Sequence, residues 1–202
     1  NADPQHSHKI EFYGFDVPPG DPKMPLEDAL RFLEGVDSAA ATAIRDRIKM
    51  MLPMLNLDRF SDTPNQYSQL AQPMRDQMTA AVADLNTLFR IHQAEYVAGS
   101  SARAYQLAKR SAVIAAQVDE YLRQVPIGWT PGSGMAALSG TIAVSDRSKA
   151  DNAEWVKEQQ GPGGRILLFA HRDHIATTMV TIRIPENNAY DLPPETEVYL
   201  PP

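Results

Sequence analysis

The 202-residue sequence contains no cysteine. That removes disulfides, thiolate zinc sites and cysteine nucleophiles together, leaving any nucleophilic or metal chemistry to oxygen and imidazole. No apolar run approaches the roughly 20 residues that a membrane-spanning helix needs, so no membrane partner is expected. Positive charge is short as well: 19 Lys and Arg against 25 Asp and Glu leave a net charge of -6. A nucleic-acid backbone demands clustered cations, so no nucleic-acid partner is expected either. The Gly-x-Ser-x-Gly elbow of a serine hydrolase is missing, since Gly132-Ser133-Gly134 falls short of it. The same triplet lacks the preceding strand, the Lys and the full glycine spacing of a phosphate-binding loop. Asn1 to His6 has no initiator Met, no basic stretch and no apolar stretch. It reads as no signal peptide, and the chain is expected to begin in the middle of something longer.

What is present is an ordinary globular composition, 43% hydrophobic and 22% charged, in a length that suits a single domain over residues 1–202. Lys9 to Asp16 is aromatic and β-branched and reads as a strand that ends at Asp16. Residues 25–125 then form an almost purely helical block. Pro25 opens a first helix with Leu26, Ala29, Leu30 and Leu33 as its stripe and Gly35 as its stop. A second helix is expected from about Ser38 to Leu52, ended by Pro53, with Ala40, Ile44, Ile48 and Met51 in register. A third runs from Gln66 to Val97 with Met74, Met78, Ala81, Leu85, Leu88 and Ile91 at helical spacing. After Gly99-Ser100-Ser101, a fourth covers Ala102 to Val125. Met50, Met51, Met54, Met74 and Met78 could line an adaptable apolar cleft, but their spacing fits core better. Pro126 to Gly140 reads as loop, Asp146 as the cap of a helix to about Gln160, Val180 to Ile184 as a strand, and the proline-rich tail as extended.

The most informative stretch is Gly164 to His174. Five apolar residues, Ile166 to Ala170, run unbroken between a Gly-Pro-Gly-Gly turn and His171-Arg172-Asp173-His174. Such a run reads as a strand buried on both faces, of the kind found in a parallel sheet covered by helices. In those sheets chemistry collects beyond the carboxyl ends of the strands. Two histidines three apart could act as general base and acid, could ligate a metal, or could simply be packed. A metal would want a third ligand, for which only Asp173, Asp16 and Asp151 offer themselves, none at a diagnostic spacing. His92 lies within a helix and is most simply a surface or core residue.

Three segments in order, Phe12-Tyr13-Gly14-Phe15-Asp16, then Asp146 to Trp155, then Arg165 to Ile175, resemble the erythromycin esterase family. The last is the most specific: the family's usual form is Ala-His-Asn-x-His after an apolar strand, here Ala170-His171-Arg172-Asp173-His174. The resemblance implies an α/β fold, a mostly parallel sheet with flanking helices, in which the helical block of residues 25–125 walls a cleft. It implies metal-independent, cofactor-free hydrolysis of a small-molecule ester such as a macrolide lactone, with a histidine activating water. Carried over by position, His171 and His174 become catalytic, and Arg172, Asp16 and Asn152 substrate-binding. Arg172 stands where the family has Asn, and the family's earlier His and Glu motif would lie upstream of Asn1. A missing segment or a second chain would then complete the site. A metal-dependent hydrolase and a non-catalytic ligand-binding protein of the same fold are the alternatives.

Overall fold

Proline and aspartate set where the first helices begin and end. The computed structural model describes residues 23–52, 66–133, 137, 139–163, 165, 180–183 and 195–198, the two short strands by backbone alone. Helix α1 spans Lys23–Val36. Pro25 lies in its first turn, where a backbone N–H would have no helical partner anyway. Leu26, Ala29, Leu30 and Leu33 are all buried, as their spacing requires, each leucine worth roughly 1.5–3 kcal/mol of apolar burial. Asp37 then separates α1 from α2, Ser38–Ile48. Its carboxylate accepts from the Ala40 N–H at 3.0 Å, an N-cap bond that satisfies one of the orphan donors. The other oxygen accepts from the Tyr96 hydroxyl at 3.0 Å, tying this corner to a distant helix.

Helix α2 ends at Ile48, four residues short of the expected Leu52, and its buried stripe uses Ala41 rather than Ala40. Met51 is buried while Met50 is exposed, so the methionines divide between core and surface; Met54 lies outside the described residues. Helix α3, Gln72–Ile91, carries Pro73 at its second position, within the first turn, where a missing N–H costs no helical bond. The expected single helix to Val97 breaks at His92, and α4 follows as Gln93–Ala98. No proline or glycine causes this. The break leaves the Phe89 carbonyl among the last four of α3, without a helical donor, and the Tyr105 hydroxyl supplies one at 2.7 Å. Phe89, Tyr96 and Tyr105 pack with Phe32 at ring separations of 5.6 to 6.5 Å. His92 pairs with Glu95 at 2.7 Å and stacks on the Tyr96 ring at 5.5 Å.

Helix α5, Ala102–Arg123, is capped by Ser101, which accepts from the Ala104 N–H. It touches α1, α3, α4 and α6 and is the centre of the bundle. Ala108, Ala112, Ala115, Val118 and Leu122 form one buried line, Arg110, Ile114 and Tyr121 a second. Helix α6, Ser139–Gln159, starts seven residues before the expected cap at Asp146, which therefore lies inside it. The Gly, Pro and Ser residues of the expected loop, Pro126 to Gly140, had hidden this start. Near it, a Cβ on Gly140 would fall 2.9 Å from Gln124 Oε1, so glycine allows the close approach to the end of α5. The buried face of α6 is unusual in being mostly small and polar: Thr141, Ser145, Ser148 and Asn152 with Val144. Gly161, at φ 72°, closes the helix in the left-handed conformation that glycine adopts without strain.

The expected mostly parallel sheet is not what the described residues contain. Their only sheet has two strands, β1 Val180–Arg183 and β2 Glu195–Val198, paired antiparallel with Val180 opposite Val198. Among the described residues, the expected α/β class is therefore corrected to a helical bundle and a small antiparallel ribbon. Alternation correctly marked β1, but its partner lies in the tail read as merely extended, where Pro193-Pro194 obscured the β-branched Thr196 and Val198. The two strands on which the parallel reading rested, at Lys9–Asp16 and Ile166–Ala170, lie outside the described residues.

Candidate functional site

Of the expected site residues, Asp16, His171, Arg172 and His174 lie outside the described residues, and Asn152 lies within them. Asn152 sits in α6 and is 5% exposed. Burying an amide is unfavourable unless its polar atoms are matched, and here they are. Arg110 Nε donates to Asn152 Oδ1 at 2.7 Å. Asn152 Nδ2 donates to Gln117 Oε1 at 2.7 Å and to the Ser148 carbonyl at 2.6 Å. Both amide hydrogens are thus committed.

The neighbouring Asp151 closes the ring. Its Oδ2 accepts from Arg110 Nη2 at 2.8 Å and from Gln117 Nε2 at 2.7 Å. Each partner's orientation is forced by the next: the Asn152 carbonyl oxygen must face the arginine, its amide N–H groups the carbonyls, and the glutamine amide must present oxygen to Asn152 and nitrogen to Asp151. The Arg110 guanidinium also lies 5.5 Å from the centre of the Trp155 ring, within the range of a cation–π attraction. Arg110 is 6% exposed, so its charge is withdrawn from water and relies on these contacts. The half-exposed Asp151 side chain remains in solvent reach.

Local sequence explains the meeting. Arg110 and Gln117 are seven apart, two turns along one face of α5, while Ser148, Asp151, Asn152 and Trp155 fall at i, i+3, i+4 and i+7 on α6. The expectation of a helix over Ala102 to Val125 singled out neither Arg110 nor Gln117. The available signal was the second period through Arg110, Ile114 and Tyr121, which marks a helix buried on two sides. Asp151, considered above as a third metal ligand, is instead neutralised by Arg110. Among the described residues no group of three His, Asp or Glu side chains is placed to hold a metal ion. No described helix is long and apolar enough to cross a membrane. Ser133 closes a 3-10 turn at Pro131–Ser133, its N–H donating to the Thr130 carbonyl at 2.8 Å.

The arrangement offers positioning, not bond-making: a fixed amide, a shielded cation and a half-exposed carboxylate lock α6 onto α5 just before the chain enters the Gly161 turn. No curated protein and no solved structure matches the chain. The family model described as erythromycin esterase matches residues 1–188, nearly the whole sequence and all three segments noted above, and the chain belongs to the erythromycin esterase family.

Proposed function

We propose that the chain is a carboxylic ester hydrolase in which histidine-activated water attacks the acyl carbon of a small-molecule ester. One observation carries this reading: the family match runs through residues 1–188 and so includes the His-x-x-His segment after the apolar run. An imidazole with its ordinary pKa near ~6.5 can take a proton from water and return one to the leaving alkoxide. His171 and His174 fill those two roles. Arg172 between them offsets the negative charge that gathers on the carbonyl oxygen in the tetrahedral transition state. Asp16 contacts the substrate. Asn152, with its amide hydrogens committed to Gln117 and Ser148, serves by fixing α6 on α5.

The ester to which the family name points is a macrolide lactone. The chemistry calls for no cofactor. The assay uses the full polypeptide. Hydrolysis is followed over a panel of p-nitrophenyl esters and one macrolide, with His171→Ala as the test variant. The variant is expected to lose at least about 100-fold in turnover, the lower end for a general acid–base group, while its circular dichroism and melting stay unchanged. Undiminished turnover by a folded His171→Ala protein would overturn the assignment.

A further inference from the structure

A second buried polar cluster lies where α3, α5 and the segment at Tyr67 meet, apart from the Arg110–Asn152 ring. Asp119 is 6% and Tyr67 1% exposed. Asp119 Oδ2 is 2.6 Å from Thr79 Oγ1, but Asp119 Oδ1 and Tyr67 Oη are both buried without a hydrogen-bond partner. Both side chains line one cavity with about 10 Å³ open to the centre of a water molecule, walled otherwise by Leu26, Met78, Val82, Ala115 and Leu122. Folded proteins rarely leave such atoms unmatched. A space of this size is about what a single water needs, and that water wants at least two polar partners.

Thr79 indicates which form of Asp119 is present. A hydroxyl has one hydrogen and two lone pairs. Thr79 Oγ1 lies 3.1 Å from the Arg75 carbonyl, which can only accept, and 3.0 Å from Arg123 Nη1, which can only donate. Were Asp119 ionised, the single hydrogen would face two acceptors and serve one. With a proton on Asp119 Oδ2, the carboxyl donates to Thr79, Thr79 donates to the Arg75 carbonyl, and every contact is matched. Burial pushes the Asp119 carboxyl above the usual carboxylate range, opposed by the contact with Thr79, by Arg123 and by the neighbouring Tyr67 phenol, and helped by Asp76. Burial, reinforced by Asp119, likewise keeps the Tyr67 phenol protonated. The two terminal nitrogens of Arg75 donate to the Val125 and Tyr67 carbonyls, its guanidinium lies 4.5 Å from the centre of the Tyr67 ring, and its Nε is buried without a partner.

We propose that this cavity is a one-water site in which the water bridges Tyr67 Oη and Asp119 Oδ1, with Asp119 held as the neutral carboxylic acid. The phenol donates to the water and the water donates to Oδ1. A metal ion is a poor occupant, because a phenol and one carboxyl among five apolar side chains supply too few oxygens. The water lets the helices meet over a polar seam without burying a second charge beside Arg75.

The test is nuclear magnetic resonance on the full chain with carboxyl-labelled aspartate. Asp119 should lose its proton at a higher pH than the exposed aspartates. A long-lived water should give through-space cross-peaks to the Met78 and Leu122 methyls. Those cross-peaks should vanish in Tyr67→Phe and persist in Asp119→Asn, which keeps a neutral donor and acceptor in place. Titration of Asp119 together with the exposed aspartates, or the lack of a long-lived water beside these methyls in the unaltered chain, overturns the proposal. Both decisive readings come from the unaltered protein, so they stand even where a variant fails to fold.

Discussion

If the ring around Asn152 holds α6 to α5, its members should be energetically coupled, and a double-mutant cycle on Arg110 and Asn152 measures that. Arg110→Met keeps most of the buried volume but leaves Asn152 Oδ1 without its donor at 2.7 Å, a loss of about 1–3 kcal/mol for an unmatched buried acceptor. Removing the guanidinium from the Trp155 face adds about 0.5–1 kcal/mol. Asp151 contributes little, because its side chain is half exposed and water replaces the lost partner at a cost of about 0–1 kcal/mol. The total is about 1.5–5 kcal/mol, or a fall of roughly 3–20 °C in melting temperature for a chain of this size. Asn152→Ala strands the buried Arg110 Nε and leaves Ser148 and Gln117 without their donor, a comparable loss. Once either side chain is gone, the other has less to lose, so the double variant should be less destabilised than the sum by about 1–2 kcal/mol, within the range found for touching pairs. Urea unfolding of the four proteins gives the number directly. Additivity within about 0.5 kcal/mol would show that the two side chains do not depend on one another.

Further expectations follow from neighbouring geometry. Asp119→Asn should stabilise the protein near neutral pH. Folding raises this carboxyl's pKa, so the native state is penalised once pH climbs past the unfolded value near ~3.9, by up to about 1.4 kcal/mol for each pH unit of elevation. Below that value both states are protonated and the advantage of the variant should disappear, which melting scans from acid to neutral pH check. Asp37→Ala removes the α2 cap and the acceptor of the Tyr96 hydroxyl; about 1–3 kcal/mol of stability should go with them, read by chemical denaturation. Asn152→Asp, though it places a carboxylate beside Arg110, should still destabilise by about 1–3 kcal/mol. It turns an acceptor toward the Ser148 carbonyl and Gln117 Oε1, and unchanged or higher stability would show that those two bonds matter little.

Helices were legible where one apolar stripe dominated. Leu26, Ala29, Leu30 and Leu33 announced α1 because that helix buries a single face, and the interior met it as the spacing implied. The ends were harder to read. Helix α3 stops at His92 for a tertiary reason, the Phe89 carbonyl turning to Tyr105, and no nearby residue encodes that. The start of α6 was misplaced because a helix whose inner face is Thr141, Ser145, Ser148 and Asn152 has no hydrophobic period to find. A partner helix must be known before such a face makes sense. The second strand, β2, was unreadable for a related reason: Glu195 to Val198 acquires its character by pairing with β1, and a short ribbon is specified by its neighbour as much as by its own residues.

The same asymmetry governs the site. A short motif in sequence suggests chemistry at each of its positions, but its members can do different work. Asn152 belongs to the family-like segment Asp146 to Trp155, and position alone made it a substrate contact. Its surroundings favour another task, because an amide with both hydrogens already given to protein acceptors would have to break one bond before binding a ligand through nitrogen, at about 1 kcal/mol or more. The residues that fix it, Arg110 and Gln117, precede it by 42 and 35 positions, outside the motif, and become visible only when α5 and α6 are side by side. A motif of this kind marks where two helices must agree, and the helix that carries no motif supplies half of the agreement.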